Sequence, residues 1–502
     1  MERRIRRVGI AFVVLFALLF GQLAYVQVFA ADSIKNNPAN FSRQLIAEYN
    51  VRRGSILTAD GQVIAESVPG TPGSRYRFDR RYPQGELYSS ITGYYSRIYG
   101  RTNLEQSMNA YLSGEAPELA VSTFTDLFLG RPKRGASVIV TIDPRVQEAA
   151  KNALGGNQGA VVALDPRNGN VLALYSTPGF DPNALSSGTD EQIRRAWTTL
   201  NDDPRKPLLP LATQELFLPG SSFKILTGSA AIENGYGPDS RWPNPHRLTL
   251  PLTNEELQNF GDEFCNGGSP TVTLQIGFQE SCNVTFAEVG LKLGPERMAE
   301  QAQAYGMCLT DPPAKTTCDD HPISFELPFE NGRFPQPSYF ERNDPLLAFS
   351  AIGLDNDLVN PMQMALMASA IANDGRLMNP RVVTQVRDAQ GRVAREFRPK
   401  QWGEPISPAT ARAMTQLMIS VVNGGTGYRA AIAGIQVAGK TGTATNGPGE
   451  APNAWFTAFA PASAPRVVVS AIVLDGGDLG SEATGGQVAA PIVKQVIEAA
   501  LS

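Results

Sequence analysis

A long apolar segment near the N-terminus is the feature that most constrains how this chain can fold. Residues 8–31 carry no charged side chain, and arginines cluster in residues 3–7. Because a bilayer offers no partners for backbone N–H and C=O groups, a segment of this length crosses it only as a helix. The clustered positive charge predicts that residues 1–7 stay in the cytoplasm. The sequence therefore predicts a single-pass anchor at residues 8–31 in the cytoplasmic membrane, with the remainder outside.

The competing interpretation of this segment is a signal peptide that is removed after export. Residues 28–30 read Val-Phe-Ala and resemble a processing site. The apolar part of a signal peptide usually has about 7–15 residues, which is shorter than this segment, so a retained anchor is favoured. Both alternatives export the rest of the chain.

Export gives the cysteines a structural meaning, because disulfides form in oxidising compartments. The chain has four of them, an even number that permits disulfides: Cys265, Cys282, Cys308 and Cys318. We expect local pairing, Cys265 with Cys282 and Cys308 with Cys318, while the other pairings stay open.

Composition indicates a globular chain that does not bind nucleic acid. A length of 502 residues exceeds what one hydrophobic core usually holds, so two domains are expected. The hydrophobic content of 42% and charged content of 18% are ordinary for a folded protein. A net charge of −4 offers nothing to a polyanion. Two histidines, His246 and His321, with four cysteines are too few for a dedicated metal site, and no cofactor is expected.

The predicted elements divide the exported part into residues 32–150 and residues 151–502. The first part begins with a polar connector and has β-rich character: strands around the turn 59–61, a strand over 136–142 and a closing helix over 144–154. The second part has strands at both ends of a helix-rich stretch, 221–420: 159–164, 170–176, 437–444, 454–460 and 466–474, before a last helix over 488–501. This order predicts one antiparallel sheet between helical layers.

The first candidate catalytic motif is Ser221-Ser222-Phe223-Lys224, which opens an apolar helix. Residues three apart share one helix face, so the Lys224 amine can reach the Ser221 hydroxyl. A serine hydroxyl is a weak nucleophile until a base takes its proton. Lysine is such a base only where burial or positive neighbours keep it neutral. Alone, the motif is also what a solvated lysine after an N-cap serine produces.

A second motif, Ser281-Cys282-Asn283, lies between two predicted helices. On a loop facing a cleft, Ser281 can shuttle a proton and Asn283 can bind substrate. The simpler interpretation is that these polar residues cap the following helix.

The third motif is Lys440-Thr441-Gly442-Thr443 in a predicted strand. Lys440 supplies fixed positive charge, Thr441 and Thr443 can bind a carboxylate, and Gly442 lets a substrate backbone approach the strand. The backbone N–H groups of Ser221 and Thr443 would form an oxyanion hole. Alone, the motif also fits an edge strand with a solvated lysine.

The order of the three motifs is more specific than any one of them. S-x-x-K, S-x-N and K-T-G follow one another as in penicillin-binding proteins and class A β-lactamases. Further blocks resemble those of class B penicillin-binding proteins: Arg53-Gly54-Ser55-Ile56, Leu104-Glu105, Thr141-Ile142-Asp143 and Asn360-Pro361. The resemblance covers nearly the whole chain and is greatest to the short actinobacterial members. Residues 352–355 and Cys282 depart from the family pattern.

The resemblance implies an α+β fold, namely a transpeptidase/serine β-lactamase-like domain with a five-stranded antiparallel sheet. A β-rich pedestal domain and one transmembrane helix would precede it. It also implies a peptidoglycan D,D-transpeptidase: Ser221 would attack the D-Ala-D-Ala bond of a stem peptide, and an amine of a second stem would form the crosslink. The expected partners are stem peptides, β-lactam antibiotics, the membrane and proteins of cell-wall synthesis or division.

Other activities within this fold remain alternatives. A β-lactamase needs a carboxylate that activates water, and Glu326 and Glu330 fall in the appropriate region without the appropriate motif. A β-lactam sensor needs more than the residues that precede the apolar segment. A catalytically inactive scaffold protein would not need the complete set of catalytic residues that the three motifs supply. A bifunctional class A enzyme needs a glycosyltransferase domain larger than residues 32–150.

Overall fold

A computed structural model covers the chain and describes residues 2–26, 46, 48–70, 75–120, 129–311, 316–318, 322–341, 343–445, 447 and 449–502. The end of the apolar segment, most of the expected polar connector and His321 lie outside these residues. The helix α1, Glu2–Ala24, contains a stretch from Arg6 to Ala24 with a mean hydropathy of 2.1, and no part of that stretch is buried among the described residues. Its length and composition suit both a membrane span and a signal segment.

Eleven strands build the two main sheets. In chain order they are β1 Ile56–Leu57, β2 Val63–Pro69, β3 Phe78–Arg81, β4 Ser137–Val140, β5 Gly159–Leu164, β6 Val171–Thr177, β7 Val383–Arg387, β8 Val393–Glu396, β9 Ala438–Ala444, β10 Asn453–Ala460 and β11 Val467–Val473. Shorter strands form small sheets: Tyr95–Ser96 with Gly100–Arg101, Arg241–Pro243 with Thr271–Thr273, Arg247–Thr249 with Glu256–Gln258, Leu377–Met378 with Gln401–Gly403, and Cys308–Thr310 with Thr316–Thr317 and Arg333–Pro335.

The longer helices lie mainly between β6 and β7 and around β9. They are α2 Pro144–Leu154, α3 Asp190–Asn201, α4 Lys224–Glu233, α5 Leu274–Gln279, α6 Asn283–Leu293, α7 Pro295–Ala304, α8 Asp344–Ser350, α9 Pro361–Ala372, α10 Pro408–Gly424 and α11 Ala489–Leu501. One-turn helices occur at Ser89–Thr92, Asn103–Ser107, Asn109–Leu112 and Asn183–Ser186.

The central sheet has five antiparallel strands in the order β9-β10-β11-β5-β6, as expected from the sequence. Strands β5, β10 and β11 are buried along their whole length and are mostly apolar because both faces are covered. Helices α2 and α11 contact each other and the sheet, while α9 and α10 contact it as well and α4 packs against both of them. Strand β9 is an edge strand, so one of its sides is available to line a cleft.

The front sheet has six strands in the order β8-β7-β4-β1-β2-β3. The hairpin of β1 and β2 and the strand β4 were expected from residues 32–150. Strands β7 and β8 were not, because they come from the stretch predicted to be helix-rich. A boundary at residue 150 therefore divides the chain into two parts, but this sheet contains strands from both of them.

A buried ion cluster fixes the front domain. The Glu105 carboxylate is fully buried and accepts from Arg53 Nε and Arg80 Nε, each at 2.6 Å. Burial alone would raise the pKa of Glu105, but the charges of Arg80 and Arg53 outweigh it and hold that pKa below its usual value. The cluster joins the start of β1, strand β3 and the helix Asn103–Ser107.

Candidate active site

Ser221 lies on a tight turn between the edge strand and helix α4. The turn is a 3-10 helix, Gly220–Phe223, and the α-helix begins only at Lys224. The sequence had predicted that Ser221 opens the helix itself. In a 3-10 turn the side chains at positions i and i+3 eclipse, so Lys224 still lies on the side of Ser221.

Close backbone contacts fix this turn in place. Gly220 has a φ of +52°, its N–H donates to the Gly353 carbonyl at 3.0 Å, and a Cβ on it would lie 2.3 Å from the Thr443 carbonyl oxygen. Trp455 Nε1 donates to the Leu218 carbonyl at 3.0 Å. The segment 352–355, which departs from the family pattern, is thus a direct support of the nucleophile turn.

Lys224 is fully buried at the base of the site. Its Nζ donates to the Ser281 carbonyl at 2.7 Å and to Asn283 Oδ1 at 2.8 Å. Burial, and then the charge of Lys440, hold the pKa of Lys224 well below its usual value. A third acceptor, Ser281 Oγ, lies 3.4 Å from the same nitrogen. The lowered pKa favours the neutral amine, the form whose lone pair can take a proton. Among the described residues, no hydrogen bond joins Lys224 to the Ser221 hydroxyl in this unliganded arrangement.

Ser281 connects the two buried lysines. It has a φ of +63° in the sharp connection from α5 to α6, and its Oγ accepts from Lys440 Nζ at 2.9 Å. Asn283 is the first residue of α6, not a loop residue, and its backbone N–H donates to Asn259 Oδ1 at 2.8 Å. Between them Cys282 forms a disulfide with Cys265, and Cys308 pairs with Cys318, the local pairing expected from the sequence.

Lys440 is fully buried on the edge strand β9. Besides Ser281, it donates to the Thr441 carbonyl at 3.1 Å. Burial lowers the pKa of Lys440 to about 7. An amine with this pKa is only partly protonated at neutral pH, whereas the sequence suggested a fixed positive charge.

The remaining residues of β9 contact the neighbouring loops. Thr441 Oγ1 lies 2.7 Å from Thr426 Oγ1, and Thr443 Oγ1 accepts from the Gly485 N–H at 3.2 Å. A Cβ on Gly442 would lie 2.6 Å from the carbonyl oxygen of Pro219. This glycine is thus required for the approach of the nucleophile turn, whereas the sequence had suggested that it admits substrate backbone.

These elements border a cleft of about 700 Å³. Ser221, Ser281, Asn283, Thr441, Gly442 and Thr443 all line it, and the two lysines lie buried beneath. All candidate residues from the three motifs therefore come together in one place.

Sequence reasoning missed other residues of the cleft. Asn259, Phe260, Glu263 and Phe264 precede the disulfide, while Leu354, Thr426 and Thr484 lie on separate loops. The one sequence signal for the first group was Cys265, whose pairing with the middle residue of S-x-N brings that segment to the site.

Family models match most of the chain. Residues 159–498 match the penicillin binding protein transpeptidase domain, and residues 53–138 match the penicillin binding protein A dimerisation domain. These two ranges correspond to the central-sheet part and to most of the front part of the fold.

Individual relatives are similar along the full length. The chain is 40% identical to peptidoglycan D,D-transpeptidase PbpA of Mycolicibacterium smegmatis, over 100% of this chain and 99% of that protein. It is 37% identical, with the same coverage, to PbpA of Mycobacterium tuberculosis. The fold is similar to the ceftriaxone acyl-enzyme complex of penicillin-binding protein A from M. tuberculosis, with a TM-score of 0.84 and 36% identity over 91% of this chain and 100% of that one. The penicillin G acyl-enzyme complex gives a TM-score of 0.82 and 36% identity over 90% and 100%. The chain belongs to the penicillin-binding protein transpeptidase family.

Proposed function

We propose that this protein is a peptidoglycan D,D-transpeptidase that works through an acyl-enzyme on Ser221. The observation that carries the proposal is the buried Lys224, whose amine is held by Ser281 and Asn283 beneath the cleft that Ser221 lines. Burial lowers the pKa of Lys224 and so favours the neutral amine, which is the form that a lysine base needs. Two relatives that share the full length are named D,D-transpeptidases, and two similar structures are β-lactam acyl-enzymes.

In the acylation step, Lys224 takes the proton of the Ser221 hydroxyl as its oxygen attacks the carbonyl carbon between two D-alanines. The C–O ester bond forms and the C–N bond breaks. Ser281, which bonds with both lysines, returns a proton to the departing D-alanine nitrogen. The N–H groups of Ser221 and Thr443 stabilise the oxyanion.

Substrate binding uses the groups around this centre. Lys440, Thr441 and Thr443 hold the terminal carboxylate, and protonated Lys440 supplies the counter charge. The Asn283 side chain and the edge of β9 beside Gly442 bind the stem-peptide backbone. An amine of a second stem then attacks the ester carbon, forms the amide crosslink and returns the proton to Ser221. β-Lactams imitate the D-Ala-D-Ala bond and remain attached.

Contacts outside the cleft disfavour a β-lactamase. Glu326 accepts from the Val382 N–H at 2.9 Å, and Glu330 pairs with Arg333 at 2.6 Å. Neither carboxylate lines the cleft as far as the chain is described. A β-lactamase would require Glu326 or Glu330 to activate a water molecule, and their positions do not support that role.

The apolar helix and the front domain suit a membrane-bound enzyme. We assign residues 1–7 to the cytoplasm, 8–31 to a single-pass anchor, 32–150 to a pedestal and 151–502 to the transpeptidase domain, outside the cytoplasm. The pedestal sets the distance between cleft and membrane and provides a surface for proteins of cell-wall synthesis and division.

The direct test is covalent labelling of the full-length protein with fluorescent penicillin, followed by peptide mass spectrometry. Label is expected on Ser221, and Ser221→Ala should remove it. The matched control is Ser222→Ala, since the Ser222 hydroxyl bonds the Pro219 carbonyl within the same turn and should not be acylated. Persistent labelling of Ser221→Ala would refute the assignment.

A further inference from the structure

The charged residues that line the cleft are negative, like the carboxylate of the donor stem peptide that binds there first. Among the described residues that line the cleft, the charged ones are Glu263 and Glu280, both carboxylates on exposed residues. The donor stem peptide ends in a carboxylate, which these groups repel. The reaction supplies one cationic group, the amine of the acceptor, which is an ammonium in neutral solution.

Glu280 lines the cleft, and its chain neighbours contact the end of the cleft where the proposed mechanism places the departing D-alanine. It stands between Gln279, whose carbonyl accepts from the Thr426 N–H at 3.4 Å, and Ser281, which contacts Lys440. Thr426 in turn contacts Thr441, the proposed carboxylate ligand. The acceptor amine must enter the space that D-alanine leaves, so it passes this end.

The Glu280 carboxylate is held in position. Its Oε2 accepts from the Asn266 N–H at 2.7 Å, and Asn266 has a φ of +49°. A carboxylate oxygen lies within 4.8 Å of the sulfur atoms of Cys265 and Cys282, whose disulfide joins both segments. Within the described part of the chain, Oε1 accepts no hydrogen bond and can receive a ligand.

We propose that Glu280 captures the ammonium group of the acceptor stem and positions it at the acyl-enzyme. The inference rests on the proposed transpeptidase function and names the chemistry of its second substrate, a primary amine that is cationic in solution. The ammonium releases one proton to solvent before its nitrogen attacks. The ester carbon then gains the C–N bond and the C–O bond to Ser221 breaks. One of the two amine protons returns to Ser221, and the other stays on the amide nitrogen. Glu280 is thus a positioning residue that sets affinity for the acceptor.

The test compares two acceptors with the full-length protein in detergent micelles. A stem pentapeptide ending in D-Ala-D-Ala is the donor; D-alaninamide, mostly protonated near pH 7, and hydroxylamine, mostly uncharged, are the acceptors. Glu280→Gln keeps an acceptor for the Asn266 N–H and removes the charge. It should raise KM for D-alaninamide roughly three- to fivefold, the effect of one partly exposed charge, with kcat unchanged. KM for hydroxylamine should change less than twofold.

The matched control is Glu300→Gln, which removes the same charge from an exposed position on α7 outside the cleft lining and should change either KM less than twofold. High salt should raise the wild-type KM for D-alaninamide toward that of Glu280→Gln. Equal KM values for D-alaninamide in wild type and Glu280→Gln would overturn the proposal, as would an equal rise for hydroxylamine, which marks a structural effect. Penicillin labelling of Ser221 reports the acylation chemistry separately, so its loss would count against the proposed function and not against Glu280.

Discussion

Replacing Lys440 with methionine should stabilise the folded protein at neutral pH while impairing substrate binding. Burial lowers the pKa of Lys440 from 10.5 to about 7. One pKa unit corresponds to about 1.4 kcal/mol, so burying this amine costs the folded state about 4 kcal/mol at pH 7. Losing its bonds to Ser281 and Thr441 costs about 1–2 kcal/mol. Methionine has similar length and no charge, so the expected net gain is about 2 kcal/mol.

The sign of the pH dependence follows from the same pKa. The unfolded chain keeps the Lys440 proton up to about pH 10.5, whereas the folded chain releases it near pH 7. In that interval the unfolded state binds more protons, so the stability of the wild type rises with pH. The rise from this lysine is about 2 kcal/mol between pH 7 and pH 9, and Lys440→Met lacks it.

The assay is urea denaturation of the full-length protein in detergent, followed by tryptophan fluorescence at both pH values. Lys292→Met, at an exposed position on α6, is the control and should follow the wild type. The reasoning is refuted if Lys440→Met is less stable than wild type at pH 7, or if both gain equally on going to pH 9.

Three further substitutions test other parts of the molecule. Lys224→Ala should slow penicillin acylation at least about a hundredfold, with the fold intact by circular dichroism. The wild-type acylation rate should fall as pH is lowered, because protonation removes the base. An acylation rate in the variant equal to that of the wild type would contradict the role of Lys224 as base. Gly442→Ala places a Cβ 2.6 Å from a backbone oxygen, so it should lower both Tm and acylation rate, whereas Gly403→Ala, with open space around its Cβ, should change neither. Glu105→Gln leaves two buried arginines without their carboxylate, so it should lower the free energy of unfolding in urea by about 3–5 kcal/mol. Glu118→Gln, on the surface, should lower it by less than about 1 kcal/mol. Equal losses in the two variants would show that burial does not determine the energy of the cluster.

Local patterns in the sequence were sufficient to predict most strands of the central sheet. Strand patterns rich in apolar residues predicted β5, β10 and β11, a loosely alternating pattern predicted β9, and turn residues predicted the partner strand β6. Helix α2 ends at Leu154, before Gly155 with a φ of +59°, where the glycines placed its end. Strand β7 could not be predicted in the same way, because it pairs with β4, which lies far away in the chain, and β8 joins the sheet only through β7.

The candidate site shows the same limit. Motif order was enough to name Ser221, Lys224, Ser281 and Lys440, which the fold brings together. The pKa of Lys440 depends on burial by distant segments, so sequence alone suggested a fixed charge. The role of Gly442 depends on the packing of β9 against the Ser221 turn, and no local sequence pattern predicts that packing.

The six-stranded sheet has a consequence for anyone who isolates the catalytic half. A fragment starting at residue 151 would keep β7 but lose β4, leaving a row of unpaired backbone donors and acceptors along Val383–Arg387. Bare strand edges recruit other chains. Such a truncated enzyme should therefore self-associate or precipitate, and a soluble version has to begin upstream of Ile56 so that the strand keeps its neighbours.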